Sequence, residues 1–504
     1  MSRKLTEKDY LENNNTIIIH DNKHAQIITT DTVLFNKLKN YLSFKAAGVE
    51  YTAAFKNGWS GINYLLDKNG GFQLGLLTKV QAYLANKNLT FKIIDNRKEI
   101  VTYPSIDLSE KIKPLGMEPR EYQTRIVNAV ISNKKGIVRA CTGSGKTLIM
   151  ALVTAHFNKP TIIYVIGLDL LKQFHDLFTS LFDEPIGYIG NGVCEIHRIN
   201  IASIWTVSSA LKNKSKILTD DEMLSDEIEP TEKQVTAINN MLTNTKLHIF
   251  DESHVVTTDT IKAIFNKIDP ENIYGFSGTP FRDDNSDLLI HSILGEQIIN
   301  VPASELIAAG YLAQPFIKFV RVSKIYESTT TSSYATIYKE YIAENSIRNK
   351  LIVKNAMELL DKNYQVLILF KQLNHGKNIA SLLDEKEIKY EYLSGSDPLE
   401  YRLEVKVNMM NKKCNLLLAS SIFDIGVDLP SLSALILAGG GKSSIRALQR
   451  IGRVIRKYPG KKHAAIVDFY DDVKILKGHS KVRNKIYKSE DGFKIMIPSS
   501  ITDL

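Results

Sequence analysis

The stretch KGIVRACTGSGKTLIMALV, residues 135–153, decides the fold. A β-branched run ends at Ala140, a turn with two glycines follows, and Lys146 and Thr147 open an apolar pattern at helical spacing. In this order the backbone N–H groups of the turn surround phosphate oxygens, and the positive end of the helix points at the same charge. Lys146 would reach the outer phosphates of a nucleotide, and Thr147 would place its hydroxyl on Mg²⁺. Ala140 departs from the usual pattern, which begins with glycine.

Ten short apolar runs continue this alternation of strand and helix through most of the chain. The runs are short and rich in apolar residues, as strands buried on both faces of a parallel sheet are. The first series is GIVRA (136–140), TIIYVI (161–166), INIAS (199–203), KLHIF (246–250) and NIYGFS (272–277). The second is FIKFV (316–320), QVLILF (365–370), NLLLAS (415–420), ALILA (434–438) and AAIVDF (464–469). They predict an α/β fold with two tandem parallel-sheet domains.

Residues 16–100 lack this pattern and predict a small N-terminal α+β domain. The passage FKNGWSGINYLLDKNGGF (55–72) predicts hairpins with turns at Asn57-Gly58 and Asn69-Gly70. KIKPLGMEP (111–119) has two prolines and a glycine, which are typical of a linker. The predicted parts are an N-terminal accessory domain (1–112), a first parallel-sheet domain (113–300) with a helical insertion near 211–245, a second parallel-sheet domain (301–470) and a basic C-terminal tail (471–504).

Composition excludes several classes of protein. The 504 residues are 44% hydrophobic and 24% charged, which is ordinary for globular domains and excludes collagenous and disordered chains. The three cysteines, Cys141, Cys194 and Cys414, are too few and too far apart for a disulfide framework, so we expect a reducing, cytoplasmic location. The polar N-terminus lacks the apolar core of a signal peptide, and no apolar stretch is long enough to span a membrane. The net charge of +9 weakly favours a polyanionic partner.

An acidic pair follows one of the predicted strands. Asp251 and Glu252, in the sequence DESH, come directly after KLHIF, so their carboxylates are expected at the carboxyl edge of the sheet. Asp251 suits Mg²⁺, and Glu252 suits the general base that deprotonates an attacking water. An acidic pair at a strand end can also be a plain helix cap. Its place on the same sheet as the phosphate-binding turn favours hydrolysis.

A basic cluster, QRIGRVIR (449–456), lies in the second predicted sheet domain. Guanidinium groups stabilise the negative charge that spreads over the transferring phosphoryl group, and arginines from another domain act only when the two domains close. The alternative is a solvated basic helix, because Arg446, Arg450, Arg453 and Lys457 share one helical face.

These segments, taken together and in order, resemble the motifs of superfamily 2 helicases. The matching stretches are PREYQ (119–123), ACTGSGKT (140–147), DESH (251–254), SGTP (277–280), ASSIFDIGVDLP (419–430) and QRIGRVIR. The resemblance implies two RecA-like domains that bind ATP and Mg²⁺. Within the superfamily, residues 44–67 and LILFKQLNHGKNIASLL (367–383) resemble the phage UvsW-type helicases. Two departures are the insertion near 211–245 and Gly167, where proline is usual.

UvsW-type membership implies an ATP-dependent DNA helicase or translocase. Such an enzyme unwinds or branch-migrates forked and junction DNA in recombination, repair or replication restart, as a monomer or with other recombination or replication proteins, in the host cytoplasm if the chain is phage-encoded. An RNA helicase or RNA-dependent ATPase stays an alternative, because the core motifs contact mainly the backbone of the nucleic acid. A further alternative is a duplex translocase of a restriction or remodelling complex that does not separate strands.

The resemblance also implies roles for residues of this chain. Gln123 would hydrogen-bond adenine, Arg453 and Arg456 would be arginine fingers, and Thr147 and Asp251 would hold the metal. Ser277, Thr279 and Gln449 would couple the nucleotide state to the grip on DNA. The complete predicted nucleotide site is Arg120, Gln123, Ala140, Cys141, Thr142, Gly143, Ser144, Gly145, Lys146, Thr147, Gly426 and Asp428.

The predicted nucleic-acid contacts are spread over the whole chain. They are Lys172, Gln173, Ser203, Trp205, Thr206, Lys371, His375, Ser420 and Ser421 in the sheet domains, and Phe55, Lys56 and Trp59 in the N-terminal domain. Trp205 can instead be a packing residue, His375 a polar residue at a helix start, and Trp59 the core of its small domain. Near the C-terminus, the basic stretch either follows a duplex or is solvated; it comprises Lys477, Lys481, Arg483, Lys485 and Lys488.

Overall fold

The computed structural model describes residues 15–45, 55, 57–97, 102–211, 228–253, 258–278, 287–322, 333–395, 397–420, 429–441 and 444–496. The chain divides into two compact units, which are residues 1–139 with 145–300 and residues 140–144 with 301–504. Among the described residues, no helix has the length and apolar character that a membrane crossing requires.

The first unit begins with the N-terminal module, residues 15–97, which has the predicted α+β composition. Its strands are β1 (Asn15–Ile19), β2 (His24–Thr29), β3 (Ser43–Lys45), β4 (Ile62–Tyr64), β5 (Gly71–Gln73) and β6 (Lys92–Asp95). Its helices are α1 (Thr32–Tyr41), the 3-10 turn Leu74–Leu76 and α2 (Leu77–Ala85). One sheet has the order β5-β2-β1-β6, while β3 and β4 form a separate antiparallel pair. Apolar residues of α1 and α2, such as Leu38 and Leu84, are fully buried against the larger sheet.

The two predicted glycine turns are present, but one of the predicted hairpins is wrong. Gly58 and Gly70 both have positive φ, at 94° and 82°. The turn at Gly70 joins β4 to β5, and these strands pair with β3 and β2 respectively instead of with each other. The chain therefore passes from one sheet to the other at this turn.

The remainder of the first unit is an eight-stranded sheet with the order β10-β9-β11-β8-β12-β13-β7-β14. Its strands are β7 (Lys135–Ala140), β8 (Thr161–Val165), β9 (Ile186–Gly190), β10 (Val193–Glu195), β11 (Ile199–Ser203), β12 (Leu247–Phe250), β13 (Asn272–Ser277) and β14 (Gln297–Val301). Its helices are α3 (Ser109–Ile112), the 3-10 turn Lys113–Leu115, α4 (Glu121–Ile131), α5 (Lys146–Phe157), α6 (Leu168–Leu181), α7 (Ile204–Ala210), α8 (Glu232–Asn244), α9 (Thr258–Lys267) and α10 (Asp287–Leu294). All five predicted strands are confirmed, and they pair in parallel.

Two segments of this unit differ from simple expectation. The predicted linker 111–119 is wrong in its first part, because α3 and the following 3-10 turn are helical and Ile112 is buried. Pro114 is tolerated there because it lies in the first turn of the short helix, where its missing N–H costs little. The insertion ends in α8, as a helical insertion should. Thr231 and Gln234 cap this helix reciprocally, and Ile238 and Leu242 are fully buried in the unit's core.

The N-terminal module packs directly on α10. Gly75 comes so close that a Cβ there would lie 2.2 Å from the carbonyl oxygen of His291 and 2.4 Å from that of Ser292. Only glycine allows this approach. Around it, Lys79 pairs with Glu296 at 3.1 Å, Gln73 hydrogen-bonds to Ser292, and Leu288 packs against the core of the module. The module and the first parallel sheet therefore belong to one body.

The second unit is a seven-stranded parallel sheet with the order β17-β18-β16-β19-β20-β15-β21. Its strands are β15 (Gln314–Val322), β16 (Val366–Leu369), β17 (Glu391–Leu393), β18 (Leu416–Ala419), β19 (Ala434–Leu437), β20 (His463–Asp471) and β21 (Lys494–Met496). Its helices are α11 (Ala303–Ala308), α12 (Tyr334–Tyr338), the π-helix Lys339–Ala343, α13 (Ser346–Asp361), α14 (Leu373–Asp384), α15 (Leu399–Met410), α16 (Ser444–Val454) and α17 (Lys474–Lys488). All five predicted strands of this sheet are confirmed.

The prediction of a C-terminal tail is wrong for residues 474–496. α17 buries Leu476, Arg483 and Tyr487 against the unit, and β21 pairs in parallel with β15. Arg483 donates from Nε to Oδ2 of Asp468 at 2.8 Å, and the hydroxyl of Tyr487 donates to the same oxygen at 3.0 Å. The segment is an integral layer of the second sheet because its apolar residues recur at helical spacing.

Candidate nucleotide site and nucleic-acid contacts

The phosphate-binding turn joins β7 to α5, as the sequence predicts. Gly143 and Gly145 have φ values of 88° and 75°, which side chains with a Cβ rarely adopt. A Cβ at Gly145 would also lie 2.6 Å from Nε2 of Gln123. The backbone conformation therefore favours glycine at 145, and the end of the Gln123 side chain lies close beside it.

Gln123 is held beside this turn by the start of α4. Its Oε1 accepts a hydrogen bond from the backbone N–H of Arg120 at 2.9 Å, which closes a capping box and fixes the direction of the amide. The side chain is only 4% exposed. The structure thus brings Gln123 and the phosphate-binding turn together, while contact with adenine stays a prediction.

The acidic pair lies at the carboxyl end of β12, where the neighbouring strands hold its backbone. The N–H of Asp251 donates to the carbonyl of Tyr164 on β8 at 2.9 Å, and the N–H of Ser253 donates to that of Phe276 on β13 at 3.0 Å. Between them Glu252 has a φ of 47°, the left-handed region that a non-glycine residue seldom occupies. Backbone strain of this kind concentrates at functional sites.

Lys146 and Glu252 form an ion pair across the site. Lys146 Nζ lies 2.9 Å from Glu252 Oε1, and the two side chains are only 11% and 16% exposed. A residue from the start of α5 and a residue from the end of β12 therefore meet in one partly buried place. The predicted catalytic lysine and the predicted general base are adjacent in space although about a hundred residues separate them in the chain.

The electrostatics of Asp251 fit a divalent cation. Burial, followed by the negative charge of Glu252, raises the pKa of the Asp251 carboxyl, and Lys146 opposes the rise. Its Oδ1 is buried and has no hydrogen-bond partner among the described residues. A carboxylate in this state is stabilised by a cation, and the oxygen of Asp251 and the hydroxyl of Thr147 are the hard ligands that Mg²⁺ prefers.

Ser277 ends β13 beside this site. It is 1% exposed, and the same strand carries Gly275, whose missing Cβ leaves room for the hydroxyl of Ser253. Thr279, the other residue predicted to couple nucleotide state to DNA, lies outside the described residues, as do Lys56, Ser421, Gly426 and Asp428.

The predicted contacts in the first unit divide into exposed and buried side chains. Lys172 and Gln173 are exposed on α6, so their prediction stands. Ser203 is fully buried and caps α7 by accepting a hydrogen bond from the N–H of Trp205 at 3.3 Å, and Thr206 is 4% exposed. Trp205 packs against the core of the unit. Ser203 and Thr206 lie at the junction between β11 and α7 with little exposed side chain, and their contact with nucleic acid stays a prediction.

His375 is the clearest correction in the second unit. Its ring is fully buried, and Nε2 lies 3.0 Å from Oδ1 of Asn349 on α13. Burial, helped by the positive charge of Arg348, lowers the pKa of His375 to about 3, so the ring is neutral at pH 7. The predicted contact with nucleic acid is wrong, since this histidine joins two helices. Lys371 is exposed, whereas Ser420 is 7% exposed.

The basic cluster occupies α16 and the residues just after it. Ile451 and Val454 face the interior, and Gln449, Arg450 and Arg453 are partly exposed. The helix ends at Val454, so Lys457 lies beyond it and does not share a helical face with Arg453. Arg456 instead forms an isolated bridge with Leu312.

Lys461 is a structural residue that the sequence did not single out. Its buried ammonium group donates to the carbonyl of Val454 at 3.1 Å, to that of Leu432 at 2.9 Å and to that of Pro430. An ammonium group has three donors, and all of them are used here. Lys461 ties the end of α16 to Pro430, the last residue of the motif ASSIFDIGVDLP, and to Leu432 just after it. Its neighbours are also basic, so sequence alone did not distinguish it.

Comparison with known proteins gives the family. Residues 15–95 match the family model "DNA helicase UvsW, N-terminal". The chain is 26% identical to the ATP-dependent DNA helicase uvsW of Enterobacteria phage T4 over 479 residues, which cover 92% of each chain. It is a superfamily 2 helicase of the UvsW type. The motor of this UvsW-type helicase matches two further models, "Type III restriction enzyme, res subunit" over residues 116–282 and "Helicase conserved C-terminal domain" over residues 349–458.

Two further proteins are similar to parts of this UvsW-type helicase. The DNA 3'-5' translocase XPB2 of Sulfurisphaera tokodaii is 24% identical, over 75% of this chain and 89% of that one. A solved structure, the ATP-dependent Type ISP restriction-modification enzyme LlaBIII bound to DNA, has a TM-score of 0.54 and 13% identity, and the match covers 84% of this chain and 36% of that one. Its likeness concerns the fold, which is consistent with the two tandem RecA-like sheets.

Proposed function

We propose that this UvsW-type helicase uses ATP hydrolysis to move along DNA and to unwind or branch-migrate forked and junction DNA. The single observation that carries the proposal is the N-terminal module, which matches the UvsW family and is fixed on α10 of the motor. The phage T4 relative is named as a DNA helicase, which supports DNA as the substrate. A module fixed in this way would present DNA to the motor at a constant position.

The ATP site would use the residues that lie around the phosphate-binding turn. Backbone N–H groups of the turn and Lys146 would hold the phosphates, while Thr147 and Asp251 would hold Mg²⁺. When bound, the metal neutralises phosphate charge and favours attack on the outer phosphoryl group. Phosphate oxygens would compete with Glu252 for Lys146 and so release the carboxylate as the base that takes a proton from water.

The second unit would contribute the remaining parts of the motor. Arg453 and Arg456 would stabilise the charge of the transition state when the two RecA-like domains close on ATP. Ser277, Thr279 and Gln449 would relay that closure to the grip on DNA. Exposed Lys172, Gln173 and Lys371 would contact phosphates, which gives binding that is sensitive to salt and independent of sequence.

The test compares ATP hydrolysis and strand separation on matched forked DNA, a four-way junction, linear duplex DNA and an RNA–DNA hybrid. We expect the branched DNAs to be processed best, and Glu252→Gln to remove the activity on all of them. If RNA stimulates hydrolysis best, or if DNA stimulates it without strand separation, the proposal is wrong although the ATP site is right.

Trp59 offers a direct test of the N-terminal module. It is partly exposed and is not a member of the core cluster of the module, so a stacking role is more consistent with its position than a core role. We expect Trp59→Ala to lower unwinding of forked DNA by about 5- to 150-fold, equivalent to a base-stacking loss of about 1–3 kcal/mol. Hydrolysis stimulated by single-stranded DNA should change much less.

The matched control for Trp59 is Tyr41→Ala, which removes another exposed aromatic ring, 48% exposed, from the same module. Tyr41→Ala should leave the preference for forks intact. Equal losses in both variants, or no loss in Trp59→Ala, would show that Trp59 has no part in recognising branched DNA.

A further inference from the structure

α17 carries a row of lysines along one side. Lys477, Lys481, Lys485 and Lys488 follow each other at intervals of four, four and three residues, which places them on one face of the helix. We call this row the lysine ladder. Another face of the helix, with Leu476, Ser480, Arg483 and Tyr487, is buried in the second unit. The ladder is therefore held in a fixed direction by a packed helix.

The acidic residues nearest to the ladder in sequence are Asp471 and Asp472 before α17 and Glu490 and Asp491 after it. The helix KILKGHSKVRNKIYK contains no acidic residue. Lys477 pairs with Asp472 at 2.7 Å, and that aspartate also pairs with Arg321 at 3.2 Å. Lys481, Lys485 and Lys488 are exposed, and no ion pair of theirs occurs in the part of the chain that the structure describes. Three aligned ammonium groups thus face solvent on one rigid surface.

We infer that the lysine ladder is a second DNA-binding surface that follows the phosphates of duplex DNA. The inference rests on the proposed function and adds a substrate contact outside the helicase motifs. At a rise of about 1.5 Å per residue the ladder is about 16 Å long, which matches about five phosphate steps of one DNA strand. Arginine forks that read bases are absent from this face, so the contact is with backbone charge and independent of sequence.

The composition of the face favours duplex over single-stranded DNA. Surfaces that bind single strands combine positive charge with aromatic rings on which bases stack. The one tyrosine of α17, Tyr487, is fully buried and hydrogen-bonds to Asp468. A straight rigid row of charges without a stacking partner matches the regular backbone of a duplex.

The test removes the three exposed charges from the full-length chain. The variant is Lys481→Gln/Lys485→Gln/Lys488→Gln. The control, Lys386→Gln/Lys412→Gln/Lys413→Gln, changes the net charge equally at exposed positions of the same unit. Lys386, Lys412 and Lys413 precede β17 and β18 and so lie at the edge of the sheet opposite to the ends that carry the motifs. Binding to a blunt duplex and to a single strand of equal length is measured by fluorescence anisotropy over a range of salt concentrations.

Each phosphate contact contributes about 0.9 to the slope of log affinity against log salt for duplex DNA. We expect the ladder variant to lose about 2–3 from this slope. Between about 50 and about 200 mM salt, the wild type should then lose about 40-fold more duplex affinity than the variant. The control should keep the wild-type slope, and the single-strand slope should not change.

Three outcomes would overturn the inference. In the first, the ladder variant keeps the wild-type salt slope on duplex DNA. In the second, the control variant loses as much slope as the ladder variant. In the third, the ladder variant loses as much slope on single-stranded DNA as on duplex DNA. Thermal unfolding of each variant checks that the helix stays folded. Because the readout is binding, it also separates the two proposals: a wild type that unwinds forks while the ladder variant keeps its slope contradicts the ladder alone.

Discussion

Replacing Glu252 by glutamine should lower kcat for ATP by about 10²- to 10⁴-fold, the range that a positioned general base contributes. The carboxylate lies 2.9 Å from Lys146 Nζ, and its backbone is held in a left-handed conformation. Glutamine keeps the shape but cannot accept the proton of the attacking water. KM for ATP should not rise, because Lys146 no longer has a carboxylate competing with the phosphates. Steady-state hydrolysis with saturating DNA and binding of a fluorescent ATP analogue provide the two measurements.

Glu271→Gln is the matched control for this experiment. Glu271 pairs with Lys159 at 2.8 Å and is 19% exposed, so the ion pair and its burial resemble those of Glu252. It immediately precedes β13, however, and therefore lies at the amino edge of the same sheet. We expect near wild-type kcat from Glu271→Gln. If the two variants lose activity equally, the loss reflects a weakened sheet, and Glu252 is not the base.

Replacing Arg483 by methionine should destabilise the second unit by about 3–5 kcal/mol, the cost of leaving one partner of a buried ion pair alone. Asp468 is fully buried and accepts hydrogen bonds from both Nε and Nη2 of Arg483, at 2.8 and 2.9 Å. Arg483 also donates to the carbonyls of Phe469 and Gly441. Urea unfolding of the full chain, followed separately for each transition, measures the shift.

Two further variants make the Arg483 prediction specific. Lys481→Met changes an exposed residue of the same helix and should shift the free energy of unfolding by no more than about 0.5 kcal/mol. The double variant Asp468→Leu/Arg483→Met should be more stable than Arg483→Met alone, because no buried charge is left without its partner. An Arg483→Met protein as stable as the wild type would mean that the buried pair contributes nothing.

Local apolar pattern was sufficient to predict the ten main strands. Runs such as NIYGFS at 272–277 are rich in apolar residues and buried along their whole length. The local sequence is therefore sufficient to predict that they are strands. The short strands were missed for the opposite reason. β9 and β10 contain two glycines and meet at Asn191-Gly192, whose positive φ values of 51° and 79° make a hairpin. The Asn-Gly pair was the available signal for that hairpin.

The burial of polar side chains could not be predicted from the sequence, because it depends on partners far along the chain. His375 is polar and begins a helix, which indicates a surface residue until Asn349 is seen beside it. In the sequence Lys461 resembles its solvated basic neighbours, whereas in the structure three carbonyl groups surround its ammonium group. At the nucleotide site the motif fixes both conformation and chemistry, so Lys146 and Glu252 could be predicted together.

Because the N-terminal module packs on α10, which is synthesised much later, the module must fold before it can dock. The residues around Gly75 leave the ribosome well before His291 and Ser292, roughly 200 residues later, which at about 5–20 residues per second is about 10–40 s. The module has its own core and can fold in that interval, but the surface that docks on α10 stays exposed to solvent until α10 has been synthesised. A chaperone that covers this face would therefore act early, on the nascent chain. A motor from which the module has been deleted would expose α10, including Leu288, to solvent permanently. We therefore expect the isolated motor to aggregate.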